Sequence, residues 1–333
     1  MFTANDIDPL AKGLFTISTE PVVRYRLARD VLKPPPHSPE LSRLREGALH
    51  ARWACELAAA QHGDGSWGRF HTRDSRERSL LPSMEFAIQR ALALGFDQDS
   101  PVMRKAVNYM AGVLTGGRLW QDPAEKNRRW PLVYKVITAG TLALACPEHP
   151  ALDGLRTVWQ EIAVEVFKTG AYSPEREMAA MKRLTGIHFG ADQLLLKNKH
   201  TLWLLASRAG DLTLKVEEAI LDWIWHRAGG IGYLEVALAE RPTRRPPSVV
   251  DRWLQSLETM SGFRHWQNPA SEALRWLWEQ RGRDGLWDFG PRSTDSYHFP
   301  LSQDWRKTVN RKADYSVFVL CLLRKAGSYA SST

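Results

Sequence analysis

Apolar residues recur every three or four positions along most of this chain, and no alternating run long enough for a strand interrupts them. Turn signals punctuate the pattern at intervals of roughly 30–50 residues, the spacing of stacked helical hairpins. Two kinds of segment alternate between those turns. Segments 6–14, 41–61, 101–114, 152–168, 214–226 and 269–280 carry charge along one side, as in Arg43, Arg45 and Glu46 or in Glu217 and Glu218, and predict half-exposed helices. Segments 21–32, 79–95, 130–145, 198–210, 248–261 and 308–326 are apolar around most of their circumference. They are rich in small residues such as Ala87, Ala91, Ala93, Gly140 and Ala143, and predict helices buried on both faces.

Local signals support these boundaries. Pro21, Pro82, Pro101, Pro131 and Pro269 stand at or near helix starts, where the missing N–H is not needed. Ser100 is placed to cap the helix that Pro101 opens, and Gly95, Gly210 and Gly327 follow helix ends, where a left-handed residue is wanted. The stretches 33–37 and 241–247 are rich in proline, but the helical pattern continues on both sides of each. The expectation is an all-α chain with residues 1–333 in one domain: a single α6/α6 barrel in which inner and outer helices alternate.

Composition narrows the function classes. No apolar run approaches the roughly 20 residues that cross a bilayer. The opening residues, with Asp6 and Asp8, lack a signal-peptide pattern, so the cytoplasm is the expected location. Cys55, Cys146 and Cys321 stand alone in apolar helical contexts and read as reduced core thiols. No His/Cys group has zinc spacing, so no metal site and no cofactor are expected. The formal charge of +8 is spread along the chain, with small clusters at 73–78, 126–129 and 241–245. It suits a solvated basic surface or an anionic partner, but no nucleic-acid-binding motif accompanies it. Peripheral membrane contact and oligomeric state stay open.

Two loops look alike. Gln61-His-Gly-Asp-Gly-Ser-Trp67 and Gln280-Arg-Gly-Arg-Asp-Gly-Leu-Trp287 both follow a predicted outer helix and end in Asp-Gly-x-Trp. The Asp-Gly step makes a tight turn, the Trp can close the corner between two helices, and the Gln can bond exposed backbone at a helix end. This pattern resembles the Gln/Trp repeats of squalene–hopene cyclases and of the wider terpenoid-cyclase and protein-prenyltransferase toroids. The segment 20–32 is similar to the start of small bacterial squalene-cyclase-like and prenyltransferase-like proteins. Gly116–Trp120 and Gly229–Tyr233 hold corresponding places in degraded form. The resemblance implies an α/α toroid over nearly the whole chain, but the repeats are structural and carry no chemistry. The Asp-x-Asp-Asp acid of the cyclases is absent, and Asp97-Gln-Asp99 reads as a turn. Neither the Asp-rich magnesium motifs of class I synthases nor the Asp-x-Cys of prenyltransferases occurs.

In such a ring the inner helices enclose a cavity, and their first turns are expected to face its mouth. Glu85 and Asp314 occupy apolar stripes there, where desolvation would raise their pKa and make them candidate acids. The competing explanation is that acids simply favour helix starts. His200 and Tyr134 complete the candidate catalytic set. Arg24, Lys135 and Arg311 would bind an anionic head, or else pair with Glu85, Asp251 and Asp314. Trp130, Tyr134, Trp203 and Tyr315 would line the cavity, with His188 at its mouth. Three functions fit. They are acid-catalysed cyclisation or isomerisation of an isoprenoid or other apolar small molecule, with or without an anionic head, a non-catalytic ligand-binding or scaffold toroid whose cavity or basic surface binds a ligand or partner, and carbohydrate processing.

Overall fold

Serine side chains start several of the helices. The hydroxyls of Ser38, Ser83, Ser100 and Ser173 each accept the backbone N–H three residues on, satisfying a donor that the helix itself cannot. The computed structural model describes residues 3–72, 81, 83–123, 130–187, 192–243, 245–291 and 300–328. Within them the helices are α1 (Ala4–Ile17), α2 (Pro21–Arg26), α3 (Pro39–Leu49), α4 (Arg52–Ala59), α5 (Met84–Leu94), α6 (Pro101–Leu114) and α7 (Trp130–Ala145). They continue with α8 (Asp153–Val166), α9 (Pro174–Thr185), α10 (Lys199–Ala206), α11 (Leu214–His226), α12 (Pro247–Met260), α13 (Gln267–Glu279) and α14 (Thr308–Ser328). No strand occurs among the described residues, and none of the helices is long and apolar enough to cross a membrane.

The alternation read from the sequence corresponds closely to these elements, with four departures. The segment 41–61 is two helices, because the chain turns extended at Ala51 between α3 and α4. Helix α9 is additional; Ser173-Pro174 opens it and Gly186, in the left-handed region, closes it. Gly327 lies inside α14 rather than after it. All three cysteines are free thiols; Cys146 and Cys321 are half-buried against the core, whereas Cys55 is exposed and is not a core residue. On α4 it is Ala54 and Leu57 that face inward, which leaves Cys55 outside. Pro82, His188 and the basic clusters 73–78 and 126–129 lie outside the described residues.

The apolar helices touch one another in chain order. Helix α5 packs on α7, α7 on α10, and α10 on α12. Lys325 of α14 reaches Ser261 at the end of α12 (3.3 Å). Helix α14 also packs on Leu27–Leu32, a π-helical turn that extends α2. From that turn Arg26 and Arg29 donate to the carbonyls of Ala93 and Gly95 at the end of α5. Helices α3, α4, α6 and α8 lie against α2, α5, α7 and α10 respectively, and α13 and α1 lie against α14. Close approach of α7 and α10 requires Gly140, where a Cβ would fall 2.4 Å from the His200 carbonyl oxygen.

The two Asp-Gly-x-Trp loops have the same structure. Trp67 and Trp287 are buried, and each indole N–H donates to a carbonyl ten residues back, Leu57 (2.9 Å) and Leu277 (2.6 Å). In both, the Asp carboxylate accepts the backbone N–H two residues on, and the glycine is left-handed. The glutamines do not correspond. Counted from the tryptophans they are one position out of step. Gln61 bonds the carbonyls of Gly65 and Val102, whereas Gln280 turns back to Trp276. The degraded loop at Trp120 makes no such bond; its ring stacks on Phe70, with centroids 4.4 Å apart.

Replacing Trp287 by Phe removes a buried hydrogen bond and part of a filled volume. The variant is expected to lose about 2–3 kcal/mol in urea-induced unfolding. A loss below about 0.5 kcal/mol would show that the indole bond does not hold the corner.

Candidate functional site

The first turns of α5 and α10 meet beside the segment 69–72. Met84 and Glu85, at the start of α5, donate their free N–H groups to the carbonyls of Arg69 and Phe70. Asp122 accepts the backbone N–H groups of His71 and Thr72 (2.8 and 3.0 Å), which fixes His71 against α5. At α10, Gly232 bonds to Lys197 (2.8 Å) and comes so close to Asn198 that a Cβ would overlap its side chain. This contact pins the loop 229–233 to the helix start and lays Tyr233, itself in the left-handed region, over His71 and His200 (ring centroids 5.4 and 5.1 Å).

Four polar side chains converge there. Glu85 is buried; its Oε1 lies 2.6 Å from Lys199 Nζ and 3.1 Å from His200 Nε2, and its Oε2 lies 2.6 Å from His71 Nδ1. Lys199 and His200 are buried as well, whereas the His71 side chain keeps 20% of its surface exposed. Burial by itself pushes the Glu85 carboxyl up, but the adjacent Lys199 ammonium, with help from the imidazoles, holds it well below the usual carboxylate range. Burial lowers His200 to about 4, so its imidazole is neutral at pH 7. One ring nitrogen each of His71 and His200 and a Glu85 carboxylate oxygen lie within 4.8 Å of one another, the one group of this kind among the described residues. The arrangement holds a carboxylate firmly ionised and presents imidazole nitrogens to it.

A cavity of about 800 Å³ lies at the other ends of the apolar helices. All six contribute to it from their C-terminal halves or just beyond, through Arg29, Gln89, Ala143, Trp203, Gln255 and Cys321. Among the described residues, the first turns of these helices do not line this cavity. Trp203 links the two regions. Its indole N–H donates to Thr259 on the cavity side (3.2 Å), and its ring packs against His200 and lies under Lys199 on the other. The cavity wall is polar but internally paired: Asp30 takes Arg26 and Arg29, and Asp97 takes both arms of Arg45. Asp97 also closes the turn before α6 by accepting the N–H of Ser100. Burial raises the Cys321 thiol, at the cavity wall, to about 12.

The other residues singled out in the sequence are dispersed. Asp314 is fully buried and accepts the N–H groups of Leu301 and Ser302 and the Ser302 hydroxyl (2.9, 3.0 and 2.5 Å). It thereby anchors a loop to which Trp53 also bonds. Arg311 pairs with Asp288 in bidentate form, next to Trp287, and not with Asp251 or an anion site. Arg24 stacks on Phe15, Lys135 is half-buried on α7, and Asp251 is buried on α12. Trp130 and Tyr134 pack around Trp120, and Tyr315 packs against Phe289. Of the aromatic set only Trp203 lines the cavity. Glu85 and His200 are thus brought together, and the partners that sequence reasoning missed are Lys199 and His71. Lys199 had a signal, a lysine beside His200 at the start of an otherwise apolar helix. His71 had none, because it lies in an irregular segment. Comparison with protein-family models, curated proteins and solved structures finds no match for the chain.

Two outcomes follow from the buried charges. Glu85→Gln leaves the Lys199 ammonium without its carboxylate and is expected to cost about 3–5 kcal/mol; adding Lys199→Met should restore most of that, as urea unfolding will show. For His200 the folded pKa lies below the unfolded value of about 6.5, so the unfolded chain binds the proton more readily between pH 6.5 and 4. Stability should therefore fall by about 2–3 kcal/mol as pH drops through that window, and His200→Gln should flatten the slope. The Glu85 carboxyl, held low in the fold, adds to the same downward trend only below about pH 4.3, where the unfolded chain takes up its proton first. An unchanged slope in His200→Gln would assign the window to other groups.

Proposed function

We propose that the chain is a single α6/α6 toroid of the terpenoid-cyclase type that binds a neutral, amphiphilic small molecule in its cavity without acid-catalysed turnover. The observation that carries this reading is the pairing of Glu85 with Lys199. A carboxyl held ionised by a buried ammonium cannot protonate an alkene, and Asp314 is committed to backbone N–H groups. The packing of α5 on α7, α7 on α10, α10 on α12 and α14 on α2, with hydrogen bonds joining α2 to α5 and α14 to the end of α12, supports the ring, as does the shared structure of the two tryptophan loops.

The ligand class follows from the lining. A cavity of this volume suits a drug-sized molecule. Helix C-termini carry partial negative charge, and among the described residues acidic and basic side chains around the cavity are equal in number, which gives no surplus positive charge for a diphosphate there. Trp203, Phe96 and Leu92 offer apolar surface, and Gln89, Gln255 and Thr259 offer neutral hydrogen-bonding groups. An apolar or neutral polar ligand is favoured over the anion-headed one considered from the sequence.

The test is a thermal-shift and calorimetric panel of isoprenoid alcohols, saccharides and isoprenoid diphosphates, with product analysis of each incubation. Saturable binding of a neutral member is expected, with a loss of at least about tenfold in Ala206→Phe, which fills the cavity from α10. Conversion of a polyprene or diphosphate to product, abolished in a folded Glu85→Gln protein, would overturn the proposal in favour of catalysis.

A further inference from the structure

The Glu85 cluster holds more donors than an ion pair needs. Lys199 alone neutralises the carboxylate, at 2.6 Å, yet two imidazoles from separate elements also direct a ring nitrogen at it. His200 is fully buried, and neither of its ring nitrogens makes a well-formed hydrogen bond, although Nε2 lies 3.1 Å from Glu85 Oε1. A buried polar atom left in that state is costly, so it calls for a partner. We propose that His71 Nδ1, Glu85 and His200 Nε2 form a binding site for a divalent first-row transition metal ion.

The donor set and its setting both fit. Two imidazoles and one carboxylate suit borderline ions such as Zn²⁺ or Fe²⁺, and leave positions for water or a ligand. Donor atoms on one such ion stand about 3.0–3.5 Å apart, given bonds of about 2.1 Å. One donor atom from each residue already lies within 4.8 Å of the other two, and Nδ1 of His71 and Nε2 of His200 lie 2.6 and 3.1 Å from the Glu85 oxygens, so the side chains need close only slightly. Their backbones are fixed independently: Glu85 through Phe70, His71 through Asp122, and His200 on the helix start clasped by Gly232. Access exists through His71 and Tyr233, the latter 37% exposed. Coordination of His200 Nε2 would satisfy an atom that the protein alone leaves without a good partner.

Lys199 is the built-in competitor. Its ammonium is a cation in the same field, and it opposes a second one. While paired with Glu85 it also lies over the rings of Trp203 and Tyr233, at 5.1 and 5.7 Å, so their faces help to hold the charge there. Removing that charge should therefore strengthen metal binding, whereas a purely structural ion pair would bind no metal with or without it.

Metal-stripped full-length protein is titrated with Zn²⁺ by calorimetry and with Co²⁺ by visible absorption. One equivalent is expected, with ligand-field bands for Co²⁺. His71→Ala, at a half-exposed position that leaves the Glu85–Lys199 pair in place, should weaken binding by at least about 100-fold. Lys199→Met should tighten it by at least about tenfold. Ala206→Phe, in the cavity, should leave it unchanged, which separates this site from the ligand cavity. No saturable binding to either the wild type or Lys199→Met, or one equivalent that survives His71→Ala, would overturn the proposal.

Discussion

The Glu85 carboxylate and the Lys199 ammonium are buried together, and that constraint reaches through the structure. Taking either charge out of water alone would be prohibitive, so the first turns of α5 and α10 must meet to within a hydrogen-bond length. That meeting requires Gly140 in α7, because α7 and α10 pack with backbone nearly in contact. It requires Gly232 as well, which clasps the start of α10. The segment 69–72, which hands His71 to the cluster, follows directly on the Trp67 loop. The tryptophan corner thereby connects the end of α4 to the charged centre.

The two ends of the apolar helices are electrically different. At the starts of α5 and α14, Glu85 and Asp314 accept charge from N–H groups and cations. Arg311 and Lys312 hold the Trp287 loop through Asp288 and Asp284. At the opposite ends, carbonyls converge and are answered by Arg26 and Arg29. The arginines can reach those carbonyls because α2 loosens into a π-helical turn at Leu27–Leu32, which carries both Arg29 and Asp30 to the cavity wall. Among the described residues the cavity lies at the carbonyl ends, whereas the first turns of α5 and α10 carry pinned loops and paired charge.

Helix type and order were legible in the sequence because they depend on periodicity and on local chemistry. Alternating half-polar and all-apolar segments predicted the helices that touch in order, and serine, proline and glycine marked most of their ends. The tryptophan loops were legible for the same reason: Asp-Gly-x-Trp is a local turn followed by a bond to the helix just completed. The register of Gln61 against Gln280 was not, since a glutamine's partner depends on which carbonyls stand nearby in three dimensions.

Charge pairing belongs to the tertiary structure. By sequence, Glu85 and Asp314 looked equivalent, as acids near the starts of apolar helices. Only the approach of the α10 start to α5 gives one an ammonium and an imidazole, to which segment 69–72 adds a second imidazole, and only the 301–302 loop gives the other backbone N–H groups. The sign of the Glu85 shift followed, because a neighbouring cation outweighs desolvation. His71 has no periodic or motif context and entered the cluster solely because Asp122 holds its segment there. The sequence by itself determined the helices, their two kinds and the loops that join them. Which ends of those helices enclose space, and which charges meet, were decided by long-range contacts, since electrostatic partners are set by distance in space and not by spacing along the chain.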